Sequence, residues 1–278
     1  MLQGQACQNS VHAWGRANQV EFDPSKESIH IIHETRDSLG GFKFLGVSFD
    51  TKLNMSQGIL EIAAQARSRL KCLLRTRRYH NTPALIRLYK AHILSYVEAA
   101  TPAIAHATAF ALGPLDSIQD VFLSEICFSA EEAIERFNLA PLFTRRDVAL
   151  LGLIHKTTLG LGPPQYRDVI YPENLTRDML LRAWRNPAAR HNRQLHDPID
   201  GTHSRKMQRS LLGLIYAYNL LPQWLVDIRS ISTFQHHLQN AVKKLAHVCY
   251  PEWAHLFRTG PHSMTVLQFQ SYFRNEQC

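Results

Sequence analysis

The chain has 278 residues, 45% of them apolar, which is enough to form a buried core and argues against a disordered tail. Its 31 Lys and Arg against 23 Asp and Glu give a net charge of +8, which favours an anionic partner such as nucleic acid. Five scattered cysteines without a C-x-x-C pair argue against a zinc ribbon and a disulfide framework, and no apolar run reaches the ~18 residues of a membrane span. We therefore expect an intracellular protein, in nucleus or cytoplasm, without a membrane partner.

The first part of the chain has the pattern of a short helix followed by two strands. Val11 and Trp14 have helical spacing, and Asp23-Pro24 predicts a turn. The β-branched residues from Ser28 to His33 predict one strand, and the apolar and aromatic run from Phe42 to Phe49 predicts a second. We expect these two strands to pair in antiparallel fashion through a loose connection.

Gly46 interrupts the second predicted strand. A glycine inside a strand indicates a bulge or the close approach of another backbone. A buried strand with a kink is the alternative interpretation of the same pattern.

Beyond Asp50 the apolar spacing is helical throughout. Helices are predicted from the Asn54–Gln57 cap to Leu73, from the Thr82–Pro83 cap to Thr101–Pro102, from Pro114 to Ile126, from the Thr144–Asp147 cap to Leu159, from Ser210 to Leu221, and from Ser232 to Val248. The expected fold class is α+β, predominantly α-helical. The predicted divisions are residues 1–54, a helical domain over 55–170, a polar linker over 171–205 and a C-terminal helical region over 206–278.

The strongest charge feature is a stretch from Ile62 to Val97 that contains eight cations and no Asp or Glu. Because acidic partners four residues away usually offset such repulsion on a solvated helix, their absence favours contact with phosphates. An ordinary basic surface is the alternative. Tyr79 and His80 lie in the turn between the two helices, where a ring can stack on a base or sugar. The cations are Arg67, Arg69, Lys71, Arg75, Arg77, Arg78, Arg87 and Lys90.

Catalytic and metal-binding signatures are not found in the sequence. Fifteen histidines are many for this length, yet neither H-E-x-x-H nor paired cysteines occur. The chain also has no G-x-S-x-G and no Walker-type glycine loop. We therefore predict no metal site.

The order of segments resembles the late palm and thumb of reverse transcriptases of non-LTR (LINE-type) retrotransposons. The segments VEFDPSKES, IHIIHE and FKFLGVSFD follow the palm order, and RLYKAHILSYVEAATPA with LAPLFTRRDVALLGLIHKTTLGLGPP resembles the thumb. The primer grip of that family is a hairpin with a core like K-[YF]-L-G-V, matched here by Lys43, Phe44, Leu45, Gly46 and Val47, so the resemblance implies a primer-grip-like hairpin in residues 1–54. The resemblance covers most of residues 11–170 and does not extend beyond Pro172.

The resemblance implies that the chain binds nucleic acid but lacks a complete catalytic centre. In the family, an RNA-directed DNA polymerase, two Mg²⁺ ions are held by aspartates of earlier palm motifs that include an Asp-Asp pair. This chain contains no Asp-Asp, so we expect it to carry no cofactor and to be inactive alone. Lys26 resembles the lysine that protonates the leaving pyrophosphate, although Glu-Ser follows it where Thr-Glu is commoner. Gly46 would allow a primer strand to pass close to the backbone.

The resulting hypothesis is a truncated reverse transcriptase that still binds a template–primer duplex of RNA and DNA. A non-catalytic helical protein-interaction module, or a pseudogene product, is the first alternative. The second is a piece that completes a polymerase in trans, with the missing fingers and palm portion as its partner. The predicted nucleic-acid contacts are Lys43, Phe44, Leu45, Gly46, Arg67, Lys71, Arg75, Arg77, Arg78, Arg87 and Lys90.

Overall fold

A computed structural model describes residues 2–23, 25, 27–33, 41–172, 191–199 and 204–273. The predominantly helical α+β class is confirmed, because the described chain is mostly helical with a small two-stranded antiparallel sheet. Two compact units are formed, Met1–Asn54 (unit 1) and Met55–Cys278 (unit 2). The break between them coincides with the predicted end of the first segment.

Unit 1 begins with helix α1, Leu2–Ala17. The Gln8 side-chain amide donates a 2.5 Å hydrogen bond to Glu27, and the His12 ring lies 2.8 Å from the same carboxylate. These two hydrogen bonds lower the pKa of Glu27. Polar contacts on the side of α1 therefore hold the segment that follows it.

A tight β-hairpin follows in unit 1, formed by strand β1, Phe42–Phe44, and strand β2, Val47–Phe49. Phe42 pairs with Phe49, and Phe44 pairs with Val47. The prediction of one strand over Phe42–Phe49 is therefore wrong. Leu45 and Gly46 both have positive φ, 48° and 84°, and this combination reverses the chain in a two-residue hairpin turn.

The predicted strand from Ser28 to His33 is also wrong, because this segment is not part of any sheet in the described structure. The His33 N–H donates a main-chain hydrogen bond to the Thr51 carbonyl at 2.9 Å. The His30 ring stacks on Phe42 at 4.4 Å, so aromatic contact holds the segment beside the hairpin.

The backbone conformation at position 46, rather than steric crowding around it, explains why a glycine is present there. A Cβ added there would meet no described atom within 4 Å, so the predicted close approach of a backbone is not seen. The φ of 84° lies in the left-handed region, which costs other residues about 1–2 kcal/mol.

Gly46→Val is therefore expected to raise hydrogen exchange of the hairpin amides by about 5- to 30-fold. Ser48→Val is the matched control, because it places the same side chain at a paired strand position with ordinary backbone angles. Mass-spectrometric exchange of the peptide spanning residues 42–49 measures both. Equal exchange in the two variants would contradict the role assigned to the turn.

Burial is low throughout unit 1. Among its described residues no large apolar side chain is fully buried, and the buried positions are Gly15 and Thr51. Hydrogen bonds and ring stacking therefore contribute more to the stability of unit 1 than hydrophobic burial does. The exposed apolar side chains are Val11, Trp14, Val20, Ile29, Ile31, Ile32, Phe44 and Leu45.

Unit 2 begins with a group of helices around a stacked pair of rings, Tyr89 and Phe122, whose centroids are 4.1 Å apart. Both rings are fully buried. A π-helical segment, Lys90–Leu94, interrupts the second helix of this group, and a 3₁₀ turn, Arg77–Tyr79, follows the first. The helices are α2, Ser56–Arg75; α3, Thr82–Tyr89; α4, Ser95–Ala99; α5, Thr101–Ile104; and α6, Ala109–Glu125.

The helix starts in this group differ from the predicted ones. The side chain of Asn81, not Thr82, accepts the capping hydrogen bond of α3, from the Ala84 N–H at 3.0 Å. Pro114 lies inside α6, which begins five residues earlier because Thr108 caps it. The Asn54–Gln57 cap is not formed, since Met55 in a left-handed conformation precedes α2 without a side-chain cap.

The remaining helices pack around a second apolar cluster centred on two long helices. Short 3₁₀ turns occur at Pro164–Asp168, Leu211–Leu214 and Trp253–His255. The helices are α7, Ala130–Phe137; α8, Leu142–Thr158; α9, Arg205–Arg209; α10, Ile215–Asn219; α11, Gln223–Val226; α12, Ile231–His247; α13, Gly260–Ser263; and α14, Val266–Ser271.

The predicted Thr144–Asp147 cap of α8 is wrong, because both side chains bind the C-terminal part of the unit instead. The Thr144 hydroxyl donates to the Ala254 carbonyl at 2.6 Å, and the Asp147 carboxylate accepts from Arg258 at 2.9 Å. These contacts bridge more than a hundred residues of sequence, so local pattern could not distinguish them from a cap.

The structure also corrects the predicted linker over residues 171–205. Leu195 and His191 are buried, and Leu195 joins the cluster formed by α8 and α12. Pro172 and Leu195 form an isolated antiparallel bridge. Residues 55–170 and 206–278 therefore belong to one compact unit, to which the described part of this segment adds buried side chains. Of the four arginines that make this segment basic, Arg182, Arg185 and Arg190 lie outside the described residues and Arg193 lies within them.

Candidate nucleic-acid interface

Helix α2 places part of the predicted cationic stretch in solvent because its other side is apolar. Ile59, Ala63 and Leu70 are buried against the group of helices around Tyr89. Lys71 and Arg75, four residues apart, are exposed and lie one above the other on the helix surface.

Several of the eight cations are bound to other elements, which corrects the expectation that none has a partner. Arg77 forms an ion pair with Glu125 at the end of α6. Arg67 donates to the Pro114 carbonyl at 3.0 Å and to the Ser117 hydroxyl at 3.3 Å. The residue numbers of the partners increase along α6 as those of the cations increase along α2 and the turn after it. Helices α2 and α6 therefore lie side by side and run in the same direction. Glu125 lies 48 residues from Arg77, so local spacing could not reveal the pair.

Two further cations help to hold the α3 region. Arg69 donates to the His92 carbonyl at 3.1 Å and lies over the Tyr96 ring at 3.9 Å from its centroid. Lys90 donates to the Phe137 carbonyl at the end of α7. Burial, aided by the charge of Arg145, lowers the pKa of Lys90. These cations have structural contacts, so they are weaker candidates for binding phosphate than the sequence suggested.

The cations that remain available are Lys71, Arg75, Arg78 and Arg87. Lys71, Arg75 and Arg87 are exposed and have no polar partner among the residues that the structure describes. Arg78 donates a 2.6 Å hydrogen bond to the Tyr79 hydroxyl and lies 4.7 Å from the centroid of that ring. Lys71, Arg75 and Arg78 follow one another toward the turn after α2, and we call these three the tip cations.

A groove of about 440 Å³ lies between α2 and the segment formed by α3 and the π-helix. Among the described residues that line it, none is acidic. The sequence analysis did not predict this groove. Ser68, Cys72 and Thr76 are spaced four residues apart, and this spacing places them on one side of α2. The lining residues are Ser68, Arg69, Cys72, Leu73, Thr76, Leu88 and His92.

The residues that match the primer grip lie on the hairpin of unit 1. Lys43 pairs with Ser48 across the two strands, and Leu45 at the turn is 88% exposed. Phe44 is exposed beside it. Lys26 lies outside the described residues. The hairpin belongs to unit 1 and the tip cations to unit 2, so the resemblance alone connects the two groups.

A buried polar cluster around Tyr218 is the main group of titratable side chains elsewhere in unit 2. The Tyr218 hydroxyl lies 3.0 Å from His155 Nδ1, and His191 Nε2 lies 3.0 Å from the Tyr218 carbonyl. His155 Nε2 lies 2.6 Å from the Ile228 carbonyl. Burial lowers the pKa of both histidines and raises the pKa of Tyr218 to about 12. Because these ring nitrogens all have protein partners, the cluster is typical of a structural network.

No protein-family model, curated protein or solved structure matches this chain at a significant level. Within the described ranges, no group of three or more His, Cys, Asp or Glu side chains is arranged to hold a metal ion. The helices of those same ranges include none with the length and apolar character needed to cross a bilayer. Function therefore has to be inferred from the surface of α2 and α3 and from the sequence resemblance.

Proposed function

We propose that the chain is a reverse-transcriptase fragment that binds nucleic acid through the tip cations and lacks the aspartates for nucleotidyl transfer. The observation that carries the proposal is the position of Lys71, Arg75 and Arg78, exposed in succession without a carboxylate partner among the described residues. Lys71 and Arg75 are about 6 Å apart along the helix axis. That distance is close to two 3.4 Å steps along a nucleic-acid strand, so both side chains can reach phosphates of one strand.

The preferred ligand in this proposal is a template–primer hybrid of RNA and DNA, as the resemblance to a late palm and thumb implies. Contacts to phosphates position a duplex and do not read its sequence, so binding is expected to be independent of sequence. The net charge of +8 adds long-range attraction. Nucleus or cytoplasm is the proposed location, because such hybrids occur there.

Replacing Lys71 and Arg75 together by alanine is expected to weaken hybrid binding and to reduce the salt slope by about 2, since each lost phosphate contact removes ~0.9. Fluorescence anisotropy of a labelled hybrid between 50 and 200 mM salt measures the slope of log Kobs against log salt. The double variant Lys156→Ala with Arg229→Ala is the matched control. Both residues are exposed, on α8 and before α12, so their replacement removes the same amount of charge from another part of the surface. Equal slopes in both double variants would refute the assignment of the tip cations.

A protein-interaction module remains the second candidate because α6 carries exposed apolar side chains beside α2. Phe110 is 94% exposed, and Val121 and Leu60 are about half exposed. A scattered set of this kind also occurs on ordinary surfaces. Failure of the folded wild-type chain to bind any hybrid at 50 mM salt would favour this candidate over nucleic-acid binding.

A further inference from the structure

Tyr79 stands at the end of the 3₁₀ turn after α2 with 70% of its surface exposed. Its described side-chain contacts are with Arg78, whose guanidinium donates to the hydroxyl at 2.6 Å and lies 4.7 Å from the ring centroid. The hydrogen bond fixes the hydroxyl end of an otherwise solvent-exposed ring. A ring that is already oriented loses less conformational freedom when a ligand stacks on it.

The groove between α2 and α3 extends to the residue that precedes this turn. Thr76, which lines the groove, directly precedes the 3₁₀ turn that ends in Tyr79. Leu73 and Leu88 are half-buried and supply apolar surface, while Ser68 and His92 supply hydrogen-bonding groups. The volume of about 440 Å³ lies within the range of small-ligand sites. Apolar surface with a few hydrogen-bonding groups and no carboxylate suits a flat heterocycle attached to a phosphate.

We infer that the turn and the groove bind unpaired nucleotides of a single strand, with one base stacked on Tyr79 and the next nucleotide in the groove. Arg75, the last residue of α2, and Arg78, in the 3₁₀ turn, neutralise the phosphates of this strand. This inference rests on the proposed function and narrows its ligand to a duplex that carries a single-stranded extension. Aromatic stacking tolerates any base, because every base has a π-face, so the preference is for unpaired structure and not for sequence.

The test compares two labelled RNA–DNA hybrids with the same duplex, one blunt and one with a three-nucleotide single-stranded extension. Wild-type chain is expected to bind the extended hybrid about 5- to 150-fold more tightly, the range that one stacked base provides. Tyr79→Ala is expected to remove this preference, which is measured as the ratio of the two affinities because the substitution also removes the hydrogen-bond partner of Arg78. Tyr79→Phe, which keeps the ring but loses the hydrogen bond from Arg78, is expected to retain most of the preference. Cys72→Trp fills the groove from an exposed helix position and is expected to reduce it.

Each outcome has a distinct meaning. Equal binding of both hybrids by the wild type would overturn the stacking site and leave the proposed duplex binding intact. A preference that survives in Tyr79→Ala, or one lost in Tyr79→Phe, would also overturn it, because the ring would not then be the cause. Failure of both hybrids to bind would overturn the proposed function and this inference together. Circular dichroism melting of each variant, all at exposed positions, verifies that the fold is retained.

Discussion

Replacing Arg258 by alanine is expected to destabilise unit 2 by about 3–5 kcal/mol, the cost of removing one partner of a buried ion pair. Arg258 Nε donates to Asp147 at 2.9 Å, and Asp147 is buried. Burial raises the pKa of Asp147, and the charge and hydrogen bond of Arg258 oppose that rise. The remaining guanidinium nitrogens donate to the carbonyls of Gln208 at 2.9 Å, Arg209 at 3.2 Å and Ser210 at 3.4 Å. Alanine would leave a buried carboxylate and three carbonyls without this donor.

Urea unfolding at pH 7, followed by circular dichroism, measures the loss. Arg229→Ala is the control, since Arg229 is exposed and has no side-chain partner in the described ranges, so a change within about 0.5 kcal/mol is expected. The double variant Asp147→Asn with Arg258→Met removes the buried charge as well as its partner and should recover part of the loss. A free energy of unfolding for Arg258→Ala that equals that of the control would show that the pair does not stabilise unit 2.

Lowering the pH below 6.5 is expected to reduce the free energy of unfolding by up to about 1.4 kcal/mol per pH unit for each of His155 and His191. Burial is the main cause that lowers the pKa of each ring below its ordinary value of 6.5 in the folded chain. The unfolded chain therefore takes up protons first as the pH falls. The stabilisation is complete above the unfolded pKa and is lost below it, because protonation then favours the unfolded state.

The hydrogen bonds explain why protonation of these rings is unfavourable. His191 Nδ1 accepts from the Arg193 N–H at 3.1 Å, and a proton on this nitrogen would break that bond. His155 Nε2 faces a carbonyl and must donate, so Nδ1 accepts from the Tyr218 hydroxyl. Each ring is thus held in one neutral form.

Urea unfolding between pH 5 and pH 8 gives the slope of stability against pH. His155→Gln should reduce this slope by up to about 1.4 kcal/mol per pH unit, which corresponds to one proton, even though the variant is itself less stable. His80→Gln, at an exposed turn position, is the control for the substitution itself. If His155→Gln and the wild type have the same slope, the neutral form of His155 does not contribute to the pH dependence.

The helical class and the approximate extent of the long helices were predictable from apolar spacing. Helix α2 ends within two residues of the predicted Leu73, and α12 begins one residue before the predicted Ser232. The strand bounds read from the pattern were misplaced, because the apolar run Phe42–Phe49 has the composition of one strand, although the resemblance to the primer grip implied a hairpin here. The turn at Leu45 and Gly46 depends on two positive φ angles, which composition alone does not specify.

The candidate site was predictable only in part. The exposure of Lys71 and Arg75 follows from their position opposite the apolar side of α2, so helical spacing was sufficient. The partners of Arg77 and Lys90 come from α6 and α7, and the groove needs both α2 and α3. Contacts of this kind depend on how helices pack, which a pattern within one segment does not contain.

The low burial of unit 1 has a consequence for how its opening can be observed. Unfolding exposes apolar surface in proportion to what was covered, and this exposure sets both the heat-capacity increment and the denaturant m-value. Since the described part of unit 1 covers no large apolar side chain fully, its opening changes either quantity little. A calorimetric or urea transition of the whole chain therefore mostly reports unit 2, and the described part of unit 1 can open well before that transition begins.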